Sequence, residues 1–434
     1  MRITILLLTI LVLGCNPKPK VLPSNNVITT DVDNFWMAYD KVVASTDSLE
    51  QKTLLETHFM EKASAGQKAM FAARNYTSDE YLFAINNYPK FWASVRNNTE
   101  EAKTLSADLN AGIAQLKKIY PDLKPAKIYF TIGALRSNGT TMDSLVLIGS
   151  ELAFANPTTE TSEFPERLSH LKAFFESNPK ENLVFLNIHE YVHTQQKTTI
   201  GYNLLAQTVI EGVAEFLTEV ALERPSPNPQ IGFGRKQDAK IKAAFSREMF
   251  SPNFYNWLWN SPDNEFGMRD LAYYVGYKIS EGYYNQAKDK QAAIKAMIQL
   301  DYNDETALLD FVDAAKYFEA AASSYKAAFE KSRPTVSRVL ELKDANTAIS
   351  HKTKIITVEF SEPMNTQRIS TDLGESGIEH FPKIEKVVFS EDGKQLYYHV
   401  LLESQKNYEM VLHWNMRSQK GIPLVPYTIK FTTD

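Results

Sequence analysis

The feature that most constrains this chain is a pair of histidines four residues apart, His189 and His193, with Glu190 directly after the first. The pair closes an apolar run at 182–188 that contains neither glycine nor proline, which predicts an α-helix. Residues four apart on a helix lie one turn apart on the same face. Two imidazoles placed in this way can bind one Zn²⁺ ion, with Glu190 as general base for the zinc-bound water. An amphipathic helix with two incidental histidines is the alternative that this pentad alone leaves open.

A second helix is predicted to supply the third ligand, because a catalytic zinc ion takes three protein ligands and keeps one open position. The segment 202–210 has a helical pattern and leads into Glu211-Gly212-Val213-Ala214-Glu215. Seventeen residues separate His193 from Glu211, enough for a turn and an antiparallel helix that returns a carboxylate to the histidines. Gly212 would cost about 1 kcal/mol relative to alanine inside a helix, so its presence indicates a close approach of this helix to the histidine helix.

The two motifs together, H-E-x-x-H and E-G-x-A, resemble those of the gluzincin metallopeptidases, whose third zinc ligand is a glutamate on the second helix. The resemblance implies that His189, His193 and Glu211 hold Zn²⁺. Glu215 lies one turn further along the same face. It would then orient a histidine, or be the ligand itself if the register of the motif differs.

A tyrosine pair downstream is the candidate for stabilising the reacting oxyanion. Zinc hydrolases of this type commonly place a tyrosine or histidine opposite the general base. Tyr274-Val275-Gly276-Tyr277 resembles an element of predicted zinc proteases, some of which are bacterial lipoproteins. We therefore expect Tyr274 and Tyr277 to be catalytic candidates and Arg269 to be a candidate anion partner. The alternative is plain packing, since the chain has 21 tyrosines.

The N-terminus predicts an exported, lipid-anchored protein. Residues 1–14 carry Arg2 and then an apolar stretch too short to span a bilayer, which is typical of a signal peptide. The stretch ends in Val12-Leu13-Gly14-Cys15, which resembles a bacterial lipobox and implies acylation of Cys15. Residues 15–30 are polar and proline-containing, as in a flexible tether. We expect a location in the bacterial cell envelope, periplasmic or at the cell surface.

Composition excludes several other functions. Cys15 is the only cysteine, so the mature domains have neither a disulfide nor a thiol catalyst. The formal net charge is −5 and the chain has no long basic cluster, which argues against nucleic acid as a partner. The expected partners are a peptide or protein substrate, the membrane through the lipid anchor, and an envelope protein.

The predicted fold class is α+β, with a mostly helical zincin-like catalytic domain at 31–332. Within it, 126–132 and 144–149 have strand patterns, with the Asn138-Gly139 turn predicting a hairpin between them. The zincin resemblance implies that an edge strand beside the zinc binds an extended peptide by β-augmentation. Both the 133–141 stretch and Glu151 are candidates for the cleft. Helices are expected at 237–250, 269–286, 288–300 and 304–330.

A second domain at 333–434 is predicted to be an all-β sandwich. Short alternating runs at 355–360, 386–389, 396–400, 408–414 and 427–431 are typical of strands, with a hairpin turn at 390–393. The segment Phe360-Ser361-Glu362-Pro363-Met364 resembles the signature of bacterial Ig-like domains found on surface proteins. Such a domain would act as a spacer or bind an envelope partner, without chemistry of its own.

The sequence therefore predicts a membrane-anchored zinc metallopeptidase. Two alternatives stay open: a non-catalytic zincin-fold lipoprotein that binds or assembles envelope components, and a zinc hydrolase that acts on a non-peptide amide or ester. The remaining histidines lack a partner at ligand spacing and are expected to be surface or packing residues: His58, His170, His351, His380, His399 and His413.

Overall fold

The computed structural model describes residues 26–342 and 348–434. The predicted signal peptide and Cys15 lie outside the described residues, as does most of the predicted tether. The tether prediction is wrong at its C-terminal end, because Val27–Ile28 forms strand β1 and helix α1 begins at Thr30. Val27 pairs with Ile128 in a parallel register, so this stretch belongs to a sheet.

The predicted α+β class is confirmed, since helices and largely antiparallel sheets follow one another along the described chain. The helices are α1 Thr30–Val42, α2 Ser48–Leu55 (continued by a π-helical turn, Glu56–Met60), α3 Ala65–Arg74, α4 Ser78–Asn87, α5 Pro89–Glu100, α6 Ser106–Ile119, α7 Ser150–Ala153, α8 Ser169–Glu176, α9 Leu183–His193, α10 Leu204–Leu222, α11 Pro229–Glu248, α12 Ala272–Gln286, α13 Lys290–Gln299, α14 Glu305–Ala315 and α15 Ala322–Ser332.

Contacts divide the described chain into two compact units. One comprises 26–114 and 125–194, and the other comprises 115–124 and 195–434 without 343–347. Among the described residues, no helix is both long and apolar enough to cross a membrane.

Aromatic side chains form much of the core of the first unit. The Phe35 ring lies 5.2 Å from that of Trp36, 5.3 Å from that of Phe59 and 4.8 Å from that of Trp92. All four side chains are buried, and the Trp36 indole N–H donates to Thr99 Oγ1 at 2.8 Å. The amphipathic N-terminal helices are therefore packing elements, as their sequence pattern indicates.

The small sheet of the first unit has strand order β1-β2-β4-β3, with β2 at Lys127–Thr131, β3 at Thr140–Met142 and β4 at Leu145–Gly149. β2 and β4 run parallel, so the predicted hairpin between them is wrong. The chain first returns along β3, which pairs antiparallel with β4 and ends at a turn where Asp143 has a φ of 52°. β3 is consequently an edge strand of this sheet.

The helices of the second unit follow the predicted pattern with two corrections. α11 begins at Pro229, because proline fits the first turn of a helix, where its missing N–H is not needed. The single helix predicted at 304–330 is two helices, since Lys316 adopts a left-handed conformation with a φ of 53° and ends α14. α10 is buried along nearly its whole length.

The predicted sandwich is confirmed by two four-stranded sheets that share one apolar core, including Ile356, Tyr398, Met410 and Phe431. The first sheet has the order β5-β7-β10-β9 and the second β6-β12-β11-β8. Their bounds are β5 Val336–Val339, β6 Ala348–Ile349, β7 Ile355–Phe360, β8 Thr371–Leu373, β9 Lys383–Phe389, β10 Gln395–Leu401, β11 Asn407–Leu412 and β12 Tyr427–Thr433. No sequence pattern predicted β5, β6 or β8, which are short.

Candidate metal centre

Helix α9 carries the histidine pair and is fixed to its own unit through the residues between them. Val192 is fully buried. The Tyr191 hydroxyl accepts a hydrogen bond at 2.8 Å from the backbone N–H of Ala126, the residue that directly precedes β2. Because 191 and 192 occupy the packed side of the helix, the histidines at 189 and 193 share a different face. The helix predicted from the apolar run is thus observed, with the pentad in its last turns.

The two imidazoles face each other. His189 Nε2 and His193 Nε2 are 3.1 Å apart, and the ring centroids are 4.8 Å apart at 80°. Both side chains are buried, at 6% and 7% exposure. Two zinc–nitrogen bonds of about 2.0–2.1 Å at a tetrahedral angle would separate the nitrogens by about 3.3–3.4 Å. The observed separation fits a shared metal ion after a shift of a few tenths of an ångström.

Glu211 joins this pair. The ligand atoms of His189, His193 and Glu211 all lie within 4.8 Å of one another, and all three residues are buried. Gln207, one turn earlier on α10, donates from Nε2 to Glu211 Oε1 at 2.9 Å and orients the carboxylate. The three residues chosen from the sequence can therefore hold a metal ion. The sequence did not lead us to predict Gln207 as a partner of Glu211, although a spacing of four residues places the two side chains on one face of a helix.

Glu215 is fully buried but is not a member of this group. Its carboxylate accepts hydrogen bonds from the Ser226 hydroxyl and, at 2.8 Å, from Asn228 Nδ2. These contacts connect α10 to the loop that precedes α11. Of the two glutamates that the motif left open as third ligand, the described geometry favours Glu211.

Glu190 is partly exposed and lies against a loop of its own unit. A Cβ atom added to Gly139 would lie 3.0 Å from Glu190 Oε1 and 3.3 Å from Leu186 Cδ1. The backbone at Gly139 therefore passes directly beside the Glu190 carboxylate. This residue directly precedes the edge strand β3, so the carboxylate and the edge strand are neighbours.

The tyrosine candidates donate their hydroxyl protons to carboxylates. Tyr274 donates to Asp238 Oδ1 at 2.9 Å, and Tyr277 donates to Glu219 Oε1 at 2.8 Å. Both side chains are 1% exposed. Burial raises the pKa of both phenols, and the neighbouring carboxylates raise it further. The oxyanion role of either phenol stays a prediction.

Arg269, the candidate anion partner, is paired within its own loop. Its Nε donates to Asp270 Oδ2 at 2.6 Å. Burial raises the pKa of the Asp270 carboxyl, and this arginine opposes that effect. The contact therefore explains Arg269 as a residue that supports the loop before α12.

Comparisons with known proteins give no family. No family model and no curated protein matches the chain. Solved structures that overlap with it include the S-layer protein rSbsC(31–844), at 18% identity and a TM-score of 0.19, covering 65% of this chain and 44% of that one. Domains 1–6 of surface layer protein SbsC show 17% identity and a TM-score of 0.19, and the match covers 65% of this chain and 44% of that one. The N-terminal part of the bacterial S-layer protein SbsC shows 13% identity and a TM-score of 0.18, and the match covers 93% of this chain and 77% of that one. The chain spans less than half of the length of the first two proteins.

Proposed function

We propose that this protein is a zinc-dependent hydrolase that cleaves peptides, with Glu190 as its general base. The observation that carries the proposal is the buried group of His189, His193 and Glu211. Glu190 follows the first of these residues on the same helix and keeps a partly exposed carboxylate. Two metal-binding imidazoles, a metal-binding carboxylate and an adjacent carboxylate that can act as a base are the parts that metal-assisted hydrolysis requires.

The donor set supports zinc as the metal. Imidazole nitrogens and one carboxylate oxygen suit Zn²⁺, whereas Mg²⁺ and Ca²⁺ favour sites made only of oxygen. Three protein ligands leave a fourth tetrahedral position for water or substrate, as in catalytic rather than structural zinc sites. Bound there, zinc would polarise the substrate carbonyl and make water more acidic.

The role assigned to Glu190 is proton transfer. Its carboxylate takes a proton from the attacking water and delivers that proton to the leaving amine, so the residue ends each cycle unchanged. Partial exposure suits this role, because the carboxylate must be reached by both water and substrate. The neighbouring backbone at Gly139 limits the directions in which the side chain can swing.

An extended peptide is the substrate that the neighbouring sheet supports. β3 is an edge strand whose outer side pairs with no other strand of the described sheet. All three of its residues are partly exposed. A peptide that adds to this edge gains backbone hydrogen bonds and runs beside Gly139, which lies against Glu190. A small amide or ester would not use this edge, so we rank it after a peptide.

The cellular setting is proposed from the sequence. Cys15 at the end of the lipobox-like segment would anchor the protein to a bacterial membrane, on the periplasmic or cell-surface side. The C-terminal sandwich would then act as a spacer or bind an envelope partner. Its resemblance to Ig-like domains supports this role.

A second candidate function is a binding or assembly lipoprotein that keeps the metal but lacks peptidase activity. Both candidate phenols favour this function, because each already donates its hydroxyl proton to a carboxylate. A survey of peptide-library cleavage by the zinc-loaded protein separates the two functions. Repeated absence of cleavage would favour the binding function.

The decisive experiment replaces Glu190 with glutamine. We expect metal content to stay near one ion per chain while peptide hydrolysis falls by a factor on the order of 10²–10⁴, the usual contribution of general base catalysis. Glu181→Gln is the matched control, because Glu181 is an exposed carboxylate just before the same helix. Undiminished cleavage by E190Q would exclude the proposed mechanism.

A further inference from the structure

A second buried carboxylate of the first unit, Glu151, has no part in the reaction proposed above. It lies on the short helix α7, directly after β4, and is 0% exposed. A carboxylate in an apolar interior is costly unless hydrogen bonds satisfy its oxygens. Among the described residues, no lysine or arginine forms an ion pair with it. Its partners are backbone N–H groups.

These N–H groups belong to one strained loop, residues 133–139, which we call the Glu151 loop. Gly133 N–H donates to both carboxylate oxygens, each at 3.0 Å, and Leu135 N–H donates to Oε1 at 2.9 Å. Ala134 and Leu135 have φ values of 43° and 67°. Left-handed backbone costs residues with a side chain about 1–2 kcal/mol each. Successive N–H groups in such conformations converge on an anion, and here the carboxylate of Glu151 is that anion.

The other end of the Glu151 loop reaches the proposed general base. Asn138 O accepts a hydrogen bond from Gly149 N at 3.1 Å, and the Ser137 hydroxyl donates to Gly139 O at 3.0 Å. These bonds hold the backbone at Gly139, where an added Cβ would come within 3.0 Å of Glu190 Oε1. The next residue begins the edge strand β3.

We infer that Glu151 is a positioning residue, which holds the Glu151 loop so that Gly139 lies beside Glu190 and β3 is presented as an edge strand. This inference rests on the proposed function. The carboxylate touches neither the metal ligands nor a peptide at the edge strand, so its effect passes through the loop backbone. Without it, the two left-handed residues lose their compensation and the loop can relax away from Glu190.

The test is Glu151→Gln, which keeps the size of the side chain but replaces one acceptor oxygen with a donor that faces N–H groups. At pH 8, above the pKa of about 7 of the Glu151 carboxyl, we expect amide hydrogen exchange in 133–139 to accelerate about tenfold or more, since hydrogen bonds to a charged acceptor are lost. Metal content should be unchanged. KM for peptides should rise and kcat should fall, because both the edge strand and the wall beside Glu190 shift.

Tyr76→Phe is the matched control. A Cβ on Gly133 would lie 3.0 Å from the Tyr76 hydroxyl and 3.3 Å from Glu151 Oε1, so Tyr76 lies at the same point of the loop. Its buried hydroxyl has no hydrogen-bond partner. Removal of this hydroxyl should change neither the amide hydrogen exchange of the Glu151 loop nor the KM and kcat for peptides. If E151Q alone does not fold, the E151Q/A134G double variant relieves the left-handed strain at Ala134 and should restore folding with a slower enzyme.

The outcomes separate this inference from the proposed function. Accelerated loop exchange together with a raised KM, at full metal content, supports the positioning role. Unchanged exchange, or accelerated exchange with unchanged kinetics, overturns it while leaving the proposed function intact. A wild-type protein that binds metal but cleaves no peptide overturns the proposed function itself, and with it any positioning role in that reaction.

Discussion

Gly212 on α10 and Gly276 on α12 meet backbone to backbone. A Cβ atom on Gly212 would lie 1.9 Å from the Gly276 carbonyl carbon, and one on Gly276 would lie 1.9 Å from Thr208 O. Neither position has room for any side chain. The sequence predicted a close approach of this mid-helix glycine to the histidine helix, and the crossing observed at Gly212 is with α12. Glu211 is the immediate neighbour of Gly212 in the chain.

We therefore expect Gly276→Ala to lower the free energy of unfolding by about 1–3 kcal/mol or more, because a methyl group here must push two backbones apart. Gly232→Ala is the control, since its Cβ would meet nothing within 4 Å on helix α11. That control should gain about 0.5–1 kcal/mol from helix propensity. Urea unfolding followed by circular dichroism compares the two, and equal stability of the variants would contradict this account.

Removal of the third ligand should abolish metal binding. Glu211→Ala leaves two histidines, which cannot hold zinc through extended dialysis, so we expect less than about a tenth of an ion per chain. Glu215→Ala should keep the metal, because its carboxylate is engaged with Ser226 and Asn228. Metal analysis of both purified variants beside the wild type is the measurement. Zinc retained by the first and lost by the second would reverse the assignment.

The sequence predicted the local parts of this site and missed the tertiary ones. The spacing of His189 and His193 defines a helical face wherever the helix packs, so it could be recognised without the fold. The position of Gly139 beside Glu190 depends on β3 turning back before β4, which no local pattern indicated. Asn138-Gly139 has hairpin composition, yet Asn138 O instead accepts a hydrogen bond from Gly149 N at the end of β4.

Stability should depend on the ionisation of Glu151. Burial raises the pKa of this carboxyl from 4.5 to about 7, and the N–H groups of Leu135 and Gly133 lower it by less. Because the folded-state pKa exceeds the unfolded one, the stability that the protonated group contributes is complete below about pH 4.5 and is lost as the pH rises through 7. The loss amounts to about 3 kcal/mol.

The comparison of wild type with E151Q isolates this effect, since glutamine does not titrate. Between pH 4.5 and pH 8, the free energy of unfolding of E151Q should rise by about 3 kcal/mol relative to that of the wild type. Urea titrations of both proteins at the two pH values measure the difference. A difference that stays constant with pH would show that the carboxyl does not titrate in this range.

A last prediction concerns the contact between Gly139 and Glu190. Gly139→Ala brings a methyl group within 3.0 Å of Glu190 Oε1, tighter than normal packing, and the carboxylate is the flexible partner that must move. We expect a folded, metal-binding protein whose kcat falls about tenfold or more, because small displacements of a catalytic group are costly. The double variant with E190Q tests the route of the effect. If the methyl group acts through Glu190, G139A should add no further loss in the E190Q background, whereas additive losses would place its effect elsewhere.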